Sequence, residues 1–306
     1  MAIQVLNRPI DLMIIGAQKT GTTSLLRYLG QHPEILTHIQ SEMTYFIQEY
    51  GKDYQEIFFK YFSNGNPQGK IILAKHVYVM YCPEAIHRLG AHNPRMQVLL
   101  MLRNPVQRAY SAYWYARRMG WETASTFSDA LRMEEARLRE GWQKWRQCAY
   151  IYNGKYYPHV KRLFDKFAKE QIHIFLSDDL KEDPSKVCRQ IFTLFPINPD
   201  LIPEIEKKHN IATQARSETM ARVLAWTINP DNPLRNKLKR LFSIICPSHL
   251  HFSFRQFLME INKKPFSPPP MDLGTQLSLI EIYHEDNERL GKLIGRDLSH
   301  WSLTNA

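Results

Sequence analysis

The chain is poor in the features that most quickly assign a function. Its 306 residues hold four cysteines, Cys82, Cys148, Cys188 and Cys246, far apart and with no Cys-x-x-Cys pair. That spacing argues against a disulfide framework or a thiolate zinc site and for free thiols in a reducing compartment. No apolar run approaches the length of a bilayer-spanning helix. The N-terminus lacks a basic region followed by an apolar core and a small-residue cleavage site, so no secretory signal is expected and the working location is expected to be cytoplasmic. His249 and His251 have no acidic or thiol partners nearby in sequence at ligand spacing, and no metal is expected. Internal repeats and low-complexity boundaries are missing as well. Acidic residues are outnumbered, 30 against 40 Lys and Arg, for a net charge of +10. Such a balance implies a polyanionic partner, and nucleic acid, an anionic nucleotide or an acidic glycan would each satisfy it. With 44% hydrophobic and 23% charged residues, the chain is globular rather than disordered.

What stands out is residues 10–26. A short apolar run, 12–15, reads as a buried strand; a small, hydroxyl-rich turn follows at 16–24; Leu25, Leu26 and Leu29 open a helical period. Gly16 and Gly21 allow tight turning and close approach, so successive amide N–H groups and the positive end of the next helix can face one phosphate or sulfate. Lys19 adds a mobile charge, and Thr20, Thr22, Thr23 and Ser24 add hydroxyl donors. In the nucleoside-triphosphate loop the lysine follows the second glycine. Here Lys19 precedes Gly21, which counts against an ATPase or kinase. A threonine-rich turn with no ligand is the plainer alternative.

The segment Gln18-Lys19-Thr20-Gly21-Thr22-Thr23-Ser24-Leu25 resembles the 5′-phosphosulfate loop of sulfotransferases that use 3′-phosphoadenosine 5′-phosphosulfate (PAPS). A second segment supports the resemblance. The apolar strand 97–102 runs into Arg103-Asn104-Pro105-Val106-Gln107-Arg108-Ala109-Tyr110-Ser111, which is similar to the family's 3′-phosphate site, with Arg103 and Ser111 in the binding roles. Pro105 suits a first helical turn. Arginine offers a planar fork to phosphate and serine a short donor. A structural salt bridge for Arg103 is the alternative.

The resemblance, closest to heparan sulfate and carbohydrate sulfotransferase-like bacterial members, implies further roles. Glu42, in Ser41-Glu42-Met43-Thr44-Tyr45-Phe46, stands where that branch has its general base, facing Lys19; the alternative is a surface glutamate. Lys75 matches a lysine at a strand end in the active cleft. The adjacent His76 is a second base candidate by analogy with the branch that sulfates small phenols, although a histidine at a strand end is often structural. Asn153-Gly154-Lys155-Tyr156 resembles a helix start whose tyrosine, Tyr156, lies by the nucleotide. Lys263 or Lys264 would serve in a basic loop that closes over it, although the usual glycine between the cations is absent. Gly295-Arg296-Asp297-Leu298 resembles the ending of bacterial members.

Tyr113, Trp114, Tyr115, Arg117, Arg118 and Trp121, then Trp142, Lys144, Trp145 and Arg146, interleave aromatics with cations. This pattern suits stacking on sugars beside acidic groups, stacking on nucleic-acid bases, or simple core packing. Residues 234–245 read as a basic amphipathic helix, which either packs on its own domain or touches an anionic membrane surface. Alternating strands and helices predict a single α/β domain over 1–306, three-layered, with a mostly parallel sheet and the ligand outside the strands' C-terminal ends. The implied activity is transfer of a sulfuryl group from PAPS to a hydroxyl, less readily an amine, on an acceptor that is expected to be a glycan, leaving 3′,5′-adenosine bisphosphate and needing neither metal nor nucleic acid. A nucleotide-dependent kinase and a non-catalytic polyanion binder are the competing readings.

Overall fold

The computed structural model describes residues 8–205, 213–226, 258 and 261–303. The expected basic helix over 234–245 and the Lys207-Lys208-His209-Asn210 segment lie outside the described residues. By internal contacts the chain divides into two compact units. The first comprises residues 1–108, 153–209 and 280–306; the second comprises 109–152 and 210–279.

The first unit is built on five strands: β1 (Leu12–Gly16), β2 (Ile35–Thr37), β3 (Ile71–Lys75), β4 (Gln97–Leu102) and β5 (Ile172–Leu176). They form one sheet in the order β2-β3-β1-β4-β5, and every neighbouring pair is parallel. A parallel sheet is covered on both faces, and its central strand β1 is accordingly apolar and buried at every position. Successive side chains still alternate between faces. Leu12 and Ile14 of β1 and Leu99 and Met101 of β4 join one cluster with Leu25, Tyr28 and Leu29 of α1 (Thr22–Leu29) and with Val187, Cys188, Ile191 and Phe192 of α10 (Pro184–Phe192).

Local signals start the helices. Asp53 caps α2 (Tyr54–Phe62) by accepting from the Glu56 N–H at 2.9 Å. Pro83 and Pro184 open α3 (Pro83–His92) and α10, where a missing N–H is harmless. Asp183 caps α10 by accepting from the Lys186 N–H at 2.8 Å.

The second unit takes in most of α4 (Pro105–Arg118), then α5 (Phe127–Arg132), α6 (Glu134–Leu138), α7 (Trp142–Cys148) and α11 (Glu218–Trp226), with a two-stranded antiparallel sheet of β6 (Thr213–Ala215) and β7 (Lys263–Pro265). Thr126 caps α5 by accepting from the Asp129 N–H at 3.0 Å, and Met133 separates α5 from α6. Residues 263–265, expected in a loop, are strand β7, paired with residues about fifty positions earlier. Glu122 anchors the unit's polar core. It accepts from the Ala124 N–H at 2.6 Å, from Arg137 Nη1 at 2.7 Å and from the Tyr150 hydroxyl at 2.6 Å. A buried carboxylate is tolerable only with such a set of partners.

The first unit also holds α8 (Tyr157–Phe164), α9 (Ser177–Glu182) and the later part of α12 (Leu273–Ile294).

Candidate active site

All five parallel strands of the large sheet end on the same side, and Lys19, Glu42, Lys75, His76 and Arg103 stand at or after the ends of β1 to β4. Ile14 of β1 is registered with Lys75 of β3 and with Leu99 of β4. The turn after β1 is therefore flanked by the ends of both neighbours, the place where open parallel sheets bind ligands.

In that turn Lys19 has φ +69° and Gly21 φ +97°. Left-handed residues among right-handed ones curl the backbone so that consecutive N–H groups face inward, which makes an anion-binding concavity. Helix α1 begins at Thr22, and its first amides, which lack intrahelical acceptors, extend the same cradle. Thr20 is buried, and its hydroxyl donates to the Ala17 carbonyl at 2.7 Å, closing the turn from within. Thr22 and Ser24 are also buried, whereas Thr23 is exposed. The Ala17 N–H donates to the Met101 carbonyl at 2.8 Å and ties the turn to β4.

At the end of β3, Lys75 is 2% exposed, and its Nζ donates to Glu42 Oε1 at 2.5 Å. Glu42 Oε2 accepts from the Val77 N–H at 3.1 Å. The Glu42 side chain is 26% exposed, so the carboxylate is held on two sides and open on a third. Glu42, which the resemblance sets facing Lys19, forms an ion pair with Lys75 in the fold. His38, which no motif singled out, braces the pair. Its Nε2 accepts from the Lys75 N–H at 3.0 Å while Nδ1 donates to the Gln40 carbonyl at 2.6 Å. Those bonds require a neutral ring, and burial, with the Lys75 charge second, lowers the His38 pKa from 6.5 to about 4. His76 is 2% exposed, and its backbone N–H donates to the Ile14 carbonyl at 2.9 Å.

Arg103 stands at the tip of β4. Its guanidinium reaches Gln107 Oε1 at 3.3 Å and the Lys19 carbonyl at 3.4 Å. Burial lowers its pKa, the response of a cation removed from water, and an anion at the strand tip would offset that cost. Tyr156 is fully buried, and its hydroxyl donates to the Arg103 carbonyl at 3.0 Å. It thus fixes the strand tip from behind. Burial raises the Tyr156 pKa to about 12, so it remains a donor.

The other predicted residues belong to the second unit. Ser111 lies on α4, partly buried. Lys263 and Lys264 lie on β7, where Lys264 is exposed and the Lys263 carbonyl accepts from Arg216 Nε at 3.0 Å. The aromatic and basic stretch divides between interior and surface. Tyr113 is buried, whereas Trp121, Trp142, Lys144, Trp145 and Arg146 are partly open. Trp142 and Trp145 stack at 4.9 Å, Trp145 meets Tyr152 edge-on at 5.7 Å, and the Arg146 guanidinium lies 5.9 Å from the Trp121 ring.

Residues 9–220 match the family model described as Sulfotransferase domain. The chain is 28% identical over 198 residues to the bifunctional heparan sulfate N-deacetylase/N-sulfotransferase 1 of Caenorhabditis briggsae, covering 59% of this chain and 22% of that protein. It is also 28% identical over 190 residues to the human protein of the same name, covering 59% of this chain and 21% of that one. The match thus spans about a fifth of the length of these relatives. A crystal structure of a sulfotransferase from Alicyclobacillus acidocaldarius has the same fold, with a TM-score of 0.68 at 24% identity, covering 97% of this chain and 99% of that one. Because that family model matches residues 9–220, well over half of the chain, the protein belongs to the sulfotransferase family.

Proposed function

We propose that the chain transfers a sulfuryl group from PAPS to a carbohydrate acceptor. The observation that carries this reading is the spacing of three stations on adjacent strand ends: the turn holding Lys19 and Gly21 after β1, Glu42 paired with Lys75 at β3, and Arg103 at β4. A donor with a phosphate at each end of its ribose fits a cradle and an arginine on neighbouring strands. The turn amides and Lys19 take the 5′-phosphosulfate, and Arg103 takes the 3′-phosphate.

Glu42, ionised and partly open, accepts the acceptor's proton as the acceptor oxygen bonds to sulfur. The sulfur–oxygen bond to the 5′-phosphate breaks, and its electron pair leaves with 3′,5′-adenosine bisphosphate, whose growing charge is met by Lys19 and the turn amides. Lys75 steadies the sulfuryl oxygens. Catalysis of this kind rests on positioning and electrostatics. Glu42 is preferred to His76 as base because its side chain reaches solvent whereas His76 is buried. The relatives' names, which include heparan sulfate, support a carbohydrate acceptor. The relatives' names include N-sulfotransferase, which favours an amine as a second reading of the accepting atom.

Calorimetric titration with 3′,5′-adenosine bisphosphate tests the donor site without an acceptor. Wild type should bind, and Lys19→Ala and Arg103→Ala should each weaken binding by about tenfold or more, the scale of one charge-assisted hydrogen bond. No binding by wild type, or equal binding of ATP, would refute the reading and return the polyanion-binding or kinase alternatives. A screen of glycans carrying free hydroxyls against those carrying a free glucosamine amine, with Glu42→Gln as the inactive control, then identifies the accepting atom.

A further inference from the structure

Ser177 was singled out by no motif role. It is the first residue of α9, directly after β5, and is 5% exposed. Its hydroxyl faces two backbone carbonyls from different segments, that of Thr20 in the turn after β1 at 2.9 Å and that of Leu102 at the end of β4 at 3.0 Å. A serine hydroxyl has one hydrogen, shared here in a three-centre bond. We propose that Ser177 is a positioning residue of the donor site, setting the separation between the phosphosulfate cradle and the arginine at the β4 tip. The proposal rests on the donor reading given above.

The peptide plane supplies the mechanism. In a trans peptide the carbonyl of one residue and the N–H of the next point in opposite directions. Holding the Thr20 carbonyl toward Ser177 therefore turns the Gly21 N–H away from it, into the concavity of the turn. Arg103 does the same one residue earlier, since its Nη1 donates to the Lys19 carbonyl at 3.4 Å and so directs the Thr20 N–H. The second carbonyl on Ser177 belongs to Leu102, which immediately precedes Arg103. One buried hydroxyl thus links the peptide that presents an N–H to one phosphate and the residue before the cation for the other.

Ser177 is a firm anchor because α9 is itself held. The Asp179 carboxylate accepts from the Leu176 N–H at 2.7 Å and from both ends of the Arg296 fork, at 2.8 and 3.2 Å. Leu180, one residue on, packs against the turn, where a Cβ built on Gly21 would lie 3.2 Å from Leu180 Cδ2. The carboxylate–arginine pair therefore fixes the helix, and the helix carries the hydroxyl.

A spacing role predicts a specific pattern. Ser177→Ala should weaken 3′,5′-adenosine bisphosphate by about tenfold, the scale of one net hydrogen bond. Adenosine 3′-monophosphate, which uses only one station and can shift to suit it, should change by about twofold or less, and adenosine 5′-monophosphate by an intermediate factor. Ser177→Cys keeps the volume with a weaker donor and should fall between wild type and Ser177→Ala, which keeps the test usable if the alanine variant folds poorly. Equal weakening of all three nucleotides, or no change in any, would overturn the proposal while leaving the donor reading intact. If wild type fails to bind the bisphosphate, the donor reading itself fails and takes this proposal with it. The ratio of bisphosphate to monophosphate affinity is the decisive readout, because general loosening of the fold would not move it.

Discussion

The Glu42–Lys75 pair is asymmetric, and the asymmetry can be measured. Lys75 is walled off at 2% exposure, whereas the Glu42 side chain is 26% exposed and also accepts from the Val77 N–H. Removing one partner of a buried pair costs about 3–5 kcal/mol, mostly from stranding the other charge. Glu42→Gln strands the ammonium, although the amide oxygen still accepts one bond, so the expected loss of stability is about 2–3 kcal/mol. Lys75→Met keeps the alkyl stem and leaves a carboxylate that solvent can reach, so its loss should be smaller, about 1–2 kcal/mol. The double variant should be more stable than the sum of the singles predicts by about 1–2 kcal/mol, the coupling expected of groups in contact. Urea unfolding followed by tryptophan fluorescence gives all three values. In turnover, Glu42→Gln and the double variant should both lose the roughly 10²- to 10⁴-fold that a general base supplies, so that stability is regained without activity. The reasoning fails if Lys75→Met costs as much as Glu42→Gln, or if the two effects simply add.

Two further outcomes follow from the same unit. Gly21→Ala places a side chain at φ +97° and should cost about 1–2 kcal/mol in stability, with a greater loss of bisphosphate affinity. Gly69→Ala, at φ +71° with open space around it, should cost a similar amount and leave nucleotide affinity unchanged; parallel affinity losses in both would show that strain alone is responsible. His38 is neutral in the fold, with its pKa lowered from 6.5 to about 4, so the unfolded chain binds the extra proton between those values. Its contribution is fully present above pH 6.5 and is lost as pH falls towards 4, amounting to about 3 kcal/mol. His38→Gln, which can keep an acceptor for the Lys75 N–H, should flatten the dependence of the urea midpoint on pH between 6.5 and 4. His92 and His159, also lowered to about 4, leave a remaining slope. An unchanged slope would refute the assignment.

Strands β1 and β4 are legible in the sequence because each is a buried apolar run that ends in turn residues. The apolar run 97–102 reads as a strand and is β4. Strand β7 was read as loop because its partner, β6, is remote in sequence and hydrogen-bond pairing leaves no local trace.

The candidate site divides along the same line. Lys19, Gly21, Glu42, Lys75 and Arg103 could be named from residue type and position after apolar runs, because a ligand at strand ends must be met by strand-end residues. The sequence could not reveal that Glu42 pairs with Lys75, that His38 braces that lysine, that Tyr156 spends its hydroxyl on the Arg103 carbonyl, or that Ser177 joins two strand ends. Each of these bonds joins residues 33 to 157 positions apart. Residue chemistry along the chain therefore supplied the charges and donors of the candidate site. The spacing and orientation of the groups that hold them came only with the folded sheet, because hydrogen bonds between distant backbone and side-chain atoms form only once packing has brought those atoms within about 3 Å of one another.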